Sequence, residues 1–291
     1  MDPVNIDIDL VRSLIADQFS QWSELPISPV QHQGHDNRTF RLGDDMSVRL
    51  PSADQYAAHV ETEYVWLPRL VNDLPLPIPV PLAMGSASDA FPRPWMINQW
   101  IDGEAASLDR IDDLSQFASD LARFLNTLQS LDASKAPAPG PDNFFRGDSL
   151  SVYDAQTRAC IHELGDVIDS SAATTIWEAA TSTECHSAPV WIHGDVAVGN
   201  LLVKNGRLGA VIDFGQLAAG DPSCDITIAW TLFSGVSRER FCTELAVDEA
   251  TWVRGRGWGL WKALLLLQGA LPTDHDEAVT QKRIVDDILG E

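Results

Sequence analysis

Apolar positions along the chain follow two different periods, and the texture changes near residue 102. Leu10, Leu14, Ile15 and Phe19 recur at helical spacing and predict a helix over 9–19. Short strand-like runs follow at 27–31, 39–42 and 47–50, and Gly43-Asp44-Asp45 reads as the hairpin turn joining the last two. Residues 57–70 turn helical again, with Val60, Tyr64, Leu67 and Leu70 expected on one face. The run LPLPIPVPLAMG (74–85) carries four prolines, which rule out a helix and predict an extended passage at a sheet edge. A β-rich run over 94–101 ends at Asp102-Gly103.

Beyond Gly103 helical spacing dominates. Leu114, Phe117, Ala118, Leu121, Leu125 and Leu128 specify an amphipathic helix, and a proline-rich loop follows at 135–142. Helices are expected over 153–168 and 172–180, then a strand from Trp191 and a hairpin over 201–212 built on Asn205-Gly206. From Ala229 to the end the pattern is helical, including 252–267. The expected class is α+β and bilobal. A small mixed β/α lobe (1–102) precedes a larger helical lobe (103–291) with an embedded β-hairpin.

Charge narrows the function. Among 291 residues, Lys+Arg 20 against Asp+Glu 42 gives −22, a surface that repels phosphate backbones and anionic lipid. Neither nucleic acid nor membrane is expected as a partner. Four cysteines lack any C-x-x-C pairing, which fits reduced thiols better than a disulfide frame. The acidic N-terminus lacks a signal-peptide pattern and the aliphatic run 264–267 is too short to span a bilayer, so a cytoplasmic protein is expected. Nothing in the pattern bears on oligomeric state.

Chemistry concentrates in WIHGDVAVGNLLVKNGRLGAVIDFG (191–215). Phosphoryl transfer requires metal ions on the phosphates and a carboxylate aimed at the acceptor hydroxyl. The D-x-x-x-x-N spacing lets one loop present Asp195 to the nucleophile and turn Asn200 toward Mg²⁺. The hairpin then returns Asp213 as a second, charged oxygen ligand, and such ligands suit a hard cation. His193 reads as a buttress of the loop rather than a proton carrier.

This segment resembles the catalytic core of the aminoglycoside phosphotransferase family, small-molecule kinases with a protein-kinase-like fold. GDPSCDITIAW (220–230) is similar to that family's G-D-P-x-x-D signature. The resemblance implies that Asp225 braces the catalytic loop through backbone N–H bonds, while Asp221 shapes the turn before Pro222. It also implies a nucleotide, ATP or GTP, in the first lobe. There the family's strand lysine is missing: Lys135, Lys204, Lys262 and Lys282 all lie beyond residue 102. Arg49 stands at the matching strand position, and its forked donors suit phosphate. Glu63 matches the family's helix glutamate, with Glu61 as the alternative. Gly34, with His35 and Asn37, occupies the nucleotide-covering loop or forms a plain hairpin turn. The backbone of Gln99 and Ile101 is the implied contact for the base.

The expected activity is transfer of the γ-phosphate of ATP or GTP to a hydroxyl of an aminoglycoside-like antibiotic. A macrolide or metabolite alcohol, or a catalytically silent nucleotide-binding module, are the alternatives. Only nine residues separate Gly215 from Asp225, which leaves no room for the long activation segment of a protein kinase. Residues 101–190 hold 15 acidic against 5 basic side chains. Two readings of that excess stand side by side: a cleft for a cationic acceptor, or acids that solvate outer helix faces.

Overall fold

The computed structural model describes residues 4–31 and 33–290. Helix α1 (Ile8–Gln18) starts at Asp7, whose carboxylate accepts from the Leu10 N–H. Five strands form the first sheet: β1 (Ile27–Pro29), β2 (Asn37–Leu42), β3 (Met46–Pro51), β4 (Pro81–Gly85) and β5 (Trp95–Gln99). Their order is β1-β2-β3-β5-β4, antiparallel throughout. The proline-bearing β4 lies at the edge, where a missing N–H breaks no ladder. One sheet face is apolar: Phe40, Leu42, Val48, Leu50, Trp95 and Ile97 pack against Val11, Leu14 and Ile15 of α1. Side chains alternate along a strand, so Arg49 projects from the other face, toward α2 (Ala57–Leu70).

The second part begins with β6 (Glu104–Ala105) and α3 (Leu114–Ser130), then α4 (Asp154–Glu163) and α5 (Ser170–Ser182). Strand β7 (Val190–Ile192), the hairpin β8 (Leu201–Lys204) and β9 (Arg207–Val211), and β10 (Ala218–Gly220) carry the sequence motifs. Four helices follow: α6 (Ile228–Thr231), α7 (Gly235–Glu244), α8 (Glu249–Ala270) and α9 (His275–Leu289). A second and larger core gathers Phe117, Phe124, Trp177, Trp191, Phe214 and Trp258. Leu67, Leu70, Leu74 and Ile78 join it too, so the C-terminal end of α2 ties the sheet to the helical part. No helix among the described residues is long and apolar enough to cross a membrane.

Three local expectations are corrected. Tyr64 is exposed, because the inward face of α2 also carries His59 and Glu63 toward Phe214 and Gly215. The helix expected over 153–168 ends at Glu163 with a turn through Gly165, before Asp169 caps α5. The first strand stops at Pro29 rather than 31. Five of the fifteen acids in 101–190 have identifiable structural roles. Asp113 and Asp169 cap helices, Asp120 pairs with Arg123 and Arg207, Asp154 with Arg158, and Glu104 with Arg110. These acids serve helix starts and surface ion pairs.

Candidate active site

Strand β7 delivers the chain to a loop fixed at several points. Asp225, fully buried, accepts the N–H groups of His193 and Gly194 at 2.7 Å each. Burial raises its carboxyl above the usual range, against the lowering pull of His193 and those two N–H groups. Gly194 sits at φ +86°, and a Cβ there would lie 2.5 Å from the Gln216 carbonyl oxygen, so only glycine fits. The Asp195 N–H donates to His193 Nδ1 at 3.2 Å, which makes Nε2 the protonated nitrogen, donating to the Ile212 carbonyl at 3.0 Å. His193 thus joins the loop to the strand that leads into Asp213.

The Asp195 carboxylate is held on both oxygens. Asn200 Nδ2 donates to the Asp195 carbonyl at 3.0 Å and to Oδ2 at 3.3 Å, and Lys262 Nζ lies 2.6 Å from Oδ1. Burial pushes this carboxyl upward, but Lys262, with Arg146 and His193, together outweigh burial and hold it below its usual range. The Asn200 carbonyl accepts from the Ile212 N–H at 2.9 Å, tying the hairpin's two ends together.

A second cluster joins the sheet to the motif. Arg49 Nη1 lies 3.1 Å from both Glu63 oxygens and Nη2 lies 2.6 Å from Asp213 Oδ1. Glu63 Oε1 also accepts the Phe214 N–H at 2.8 Å, while Glu61 is exposed. Burial works against the guanidinium's charge, but Glu63 and Asp213 hold it more firmly protonated than usual. Glu63 is itself raised by burial, with Arg49 limiting the shift. Asp213 adopts φ +67°, a conformation unusual for aspartate.

The remaining predicted positions surround this cluster. The Gln99 N–H already donates to the Val80 carbonyl at 2.9 Å, so of its backbone pair that donor is engaged within the protein. Ile101 lies outside the strands, just past β5. The Gly34 carbonyl accepts from Arg38 Nη1 at 2.8 Å, and its exposed loop is pinned where Ser52 donates to the Asp36 and His35 carbonyls. Burial, and then the Asp213 charge, push the Asp36 carboxyl upward. Asp221 caps the turn at 222–227 and also pairs with the buried Arg254 at 2.5 Å.

Lys262 and Arg146 escaped the sequence reading. Lys262 sits in α8, whose Trp- and Leu-rich run reads as core; the usable signal is a lone lysine inside that apolar helix. Arg146 follows a proline-rich loop and belongs to no motif.

The donor set tests the expected metal. Asn200 and Asp213 offer amide and carboxylate oxygens, and no cluster of three or more His, Cys, Asp or Glu suited to a metal occurs among the described residues. Two protein oxygens with the rest left to phosphates and water fit Mg²⁺, which retains much of its hydration. A cavity of about 480 Å³ lies elsewhere, beside Gly147, Ser149, Glu184, Asp221 and Arg254, and includes none of Asp195, Asn200, Asp213, Arg49 and Glu63.

An antiparallel five-stranded sheet set against a helical part, with the catalytic loop and hairpin between, defines a protein-kinase-like small-molecule kinase fold. The family profile described as "Phosphotransferase enzyme family" matches residues 27–259, and the chain belongs to that family. No curated protein matches the sequence. A GDP complex of an aminoglycoside 2'-phosphotransferase-IIIa point mutant is similar over 98% of both chains, with TM-score 0.76 and 18% identity. Aminoglycoside phosphotransferase APH(4)-Ia gives TM-score 0.66 at 20% identity, covering 98% of this chain and 99% of its own. A macrolide 2'-phosphotransferase type I gives 0.62 at 17%, covering 97% and 98%.

Proposed function

We propose that this protein transfers the γ-phosphoryl group of ATP or GTP to a hydroxyl of a small molecule. The observation that carries the reading is the joint geometry of Asp195, Asn200 and Asp213 with the Arg49–Glu63 pair. In this reading residues 1–102 hold the nucleotide and 103–291 supply catalysis and the acceptor site. Arg49 binds the phosphates, Glu63 fixes Arg49, and the Gln99 carbonyl, the Ile101 backbone and the loop at Gly34 contact the nucleotide. Asn200 and Asp213 would hold Mg²⁺, which supplies charge neutralisation on the phosphates. His193 and Asp225 set the loop.

In the transfer, the acceptor oxygen forms a bond to the γ-phosphorus while the bond to the β,γ-bridging oxygen breaks. The nucleoside diphosphate leaves and the hydroxyl proton passes to Asp195. Asp195 therefore needs one oxygen free, and rotation of the Asn200 amide toward the metal position frees Oδ2 while Lys262 stays on Oδ1. The solved relatives include a GDP and kanamycin complex and a gentamicin complex, so amino-sugar antibiotics are a necessary arm of any acceptor screen. A coupled ADP- or GDP-release assay across amino-sugar, macrolide and simple alcohol acceptors tests the reading. Acceptor-dependent, Mg²⁺-dependent release supports it, and a protein that binds no nucleotide contradicts it.

A further inference from the structure

The wall beside Asp195 contains a guanidinium that the phosphotransfer reading does not use. Arg146 is placed by a strained segment: Phe144 and Phe145 take φ 52° and 53°, and Gly147 takes φ +81°. The left-handed region is unfavourable for a residue with a Cβ, and two aromatic residues occupy it in succession. The segment is pinned. Asn143 Nδ2 donates to the Arg146 carbonyl at 3.0 Å and to the Gln216 carbonyl at 3.3 Å, and the Tyr153 hydroxyl donates to the Phe144 carbonyl at 2.5 Å.

The guanidinium so placed lies over the rings of Trp261, at 4.6 Å, and Trp258, at 5.4 Å. Its Nε donates to Gln216 Oε1 at 2.9 Å, three residues after Asp213, and its Nη1 is buried with no hydrogen-bond partner. Arg123, Arg158, Arg207 and Arg254 each pair with a carboxylate in this chain of net charge −22. Among the described residues, Arg146 has no carboxylate within ion-pair distance. Trp258 and Trp261 flank Lys262 on α8, whose ammonium covers Asp195. Two cations thus stand near Asp195, the group that would meet the acceptor hydroxyl in that reading.

Resting on the phosphotransfer reading, we propose that the acceptor is an anionic hydroxy compound: Arg146 receives its carboxylate or phosphate ester while Lys262 neutralises Asp195 and lets an anion approach. With Nε on Gln216 Oε1 and Nη1 enclosed, Nη2 is the guanidinium edge left to donate to either oxyanion. An ammonium group entering beside Asp195 meets the charges of Arg146 and Lys262, which disfavours polycations.

The test uses the full chain loaded with Mg²⁺ and a non-hydrolysable ATP or GTP analogue. Calorimetry compares glycerate and gluconate, glycerol phosphate, glycerol and kanamycin, with diphosphate release followed in parallel on the natural nucleotides. A carboxylate or phosphate-ester arm should bind, and which of the two binds identifies the oxyanion. Arg146→Met should weaken that arm by about 10–100-fold through KM more than kcat, the scale of a charge-assisted hydrogen bond. Arg146→Lys, compared only after its fold is checked by circular dichroism, should recover part of the loss because it keeps the charge. The proposal is overturned if no anionic arm binds, if kanamycin binds more tightly than every anion, or if folded Arg146 variants bind as the parent does. Kanamycin phosphorylation would leave the phosphotransfer reading intact and remove this one, whereas absence of nucleotide binding would remove both.

Discussion

Arg49→Ala isolates the cluster that joins the sheet to the Asp213–Gly215 motif. In the parent, Arg49 is divided between Glu63, at 3.1 Å, and Asp213, at 2.6 Å, and the Glu63 side chain is only 4% exposed. Removing the guanidinium strands a carboxylate that burial already pushes upward and that Arg49 was holding down. Breaking a buried pair by deleting one partner costs about 3–5 kcal/mol, the figure expected near pH 8. The cost depends on pH in a definite direction. In the variant the folded-state pKa of Glu63 rises further above its unfolded value, so the folded state binds the extra proton. Stability is then recovered as pH falls through that raised pKa, by up to about 1.4 kcal/mol per pH unit for one proton, until the unfolded pKa is reached. Urea unfolding of parent and variant at pH 8 and pH 6, followed by the fluorescence of the ten tryptophans, measures both quantities. A loss below about 1 kcal/mol that is the same at both pH values would refute the reasoning, since Glu63 would then not depend on Arg49.

Other perturbations separate the remaining parts. Arg49→Lys should keep part of the activity that Arg49→Ala loses, because one ammonium can stand between the two carboxylates but cannot fork; kcat/KM for nucleotide reads this. Asp213→Ala should abolish Mg²⁺-dependent nucleotide binding in calorimetry, and unchanged affinity would contradict its place as a ligand. Gly194→Ala should cost at least about 1–2 kcal/mol from the left-handed backbone alone, and more from contact with the Gln216 carbonyl, with turnover falling as the loop shifts; an unchanged midpoint and rate would contradict the close approach.

Much of the fold was legible because each element's local chemistry agreed with its neighbours. Asn205-Gly206 takes φ 53° and 73° in the β8–β9 turn, as that dipeptide favours, and the prolines of 74–85 run into an edge strand. The motif residues also come together: Asp195 contacts Asn200, and Arg49 joins Glu63 to Asp213. Tyr64 misled because helical spacing marks a face without saying what the face meets, and here it meets a polar catalytic region through His59 and Glu63. Lys262 and Arg146 were invisible for a different reason. Each is brought to Asp195 or its neighbours by tertiary packing across at least 67 residues of sequence, and one lysine in a Trp-rich helix resembles a solvated position until the helix is docked. The regional charge count left two readings open, and helix caps and ion pairs take up several of the acids counted.

The central claim is that Asp195 takes the acceptor's proton while the Arg49, Asn200 and Asp213 side chains manage the phosphates. The most direct measurement is turnover and nucleotide affinity of Asp195→Asn on one accepted hydroxyl compound. Asparagine preserves shape and can still be reached by Lys262 and Asn200, but it is not a base. Affinity for the Mg²⁺-nucleotide should stay within a few-fold of the parent, and kcat should fall by about 10²-fold or more. A folded Asp195→Asn protein with near-parental kcat would contradict the account.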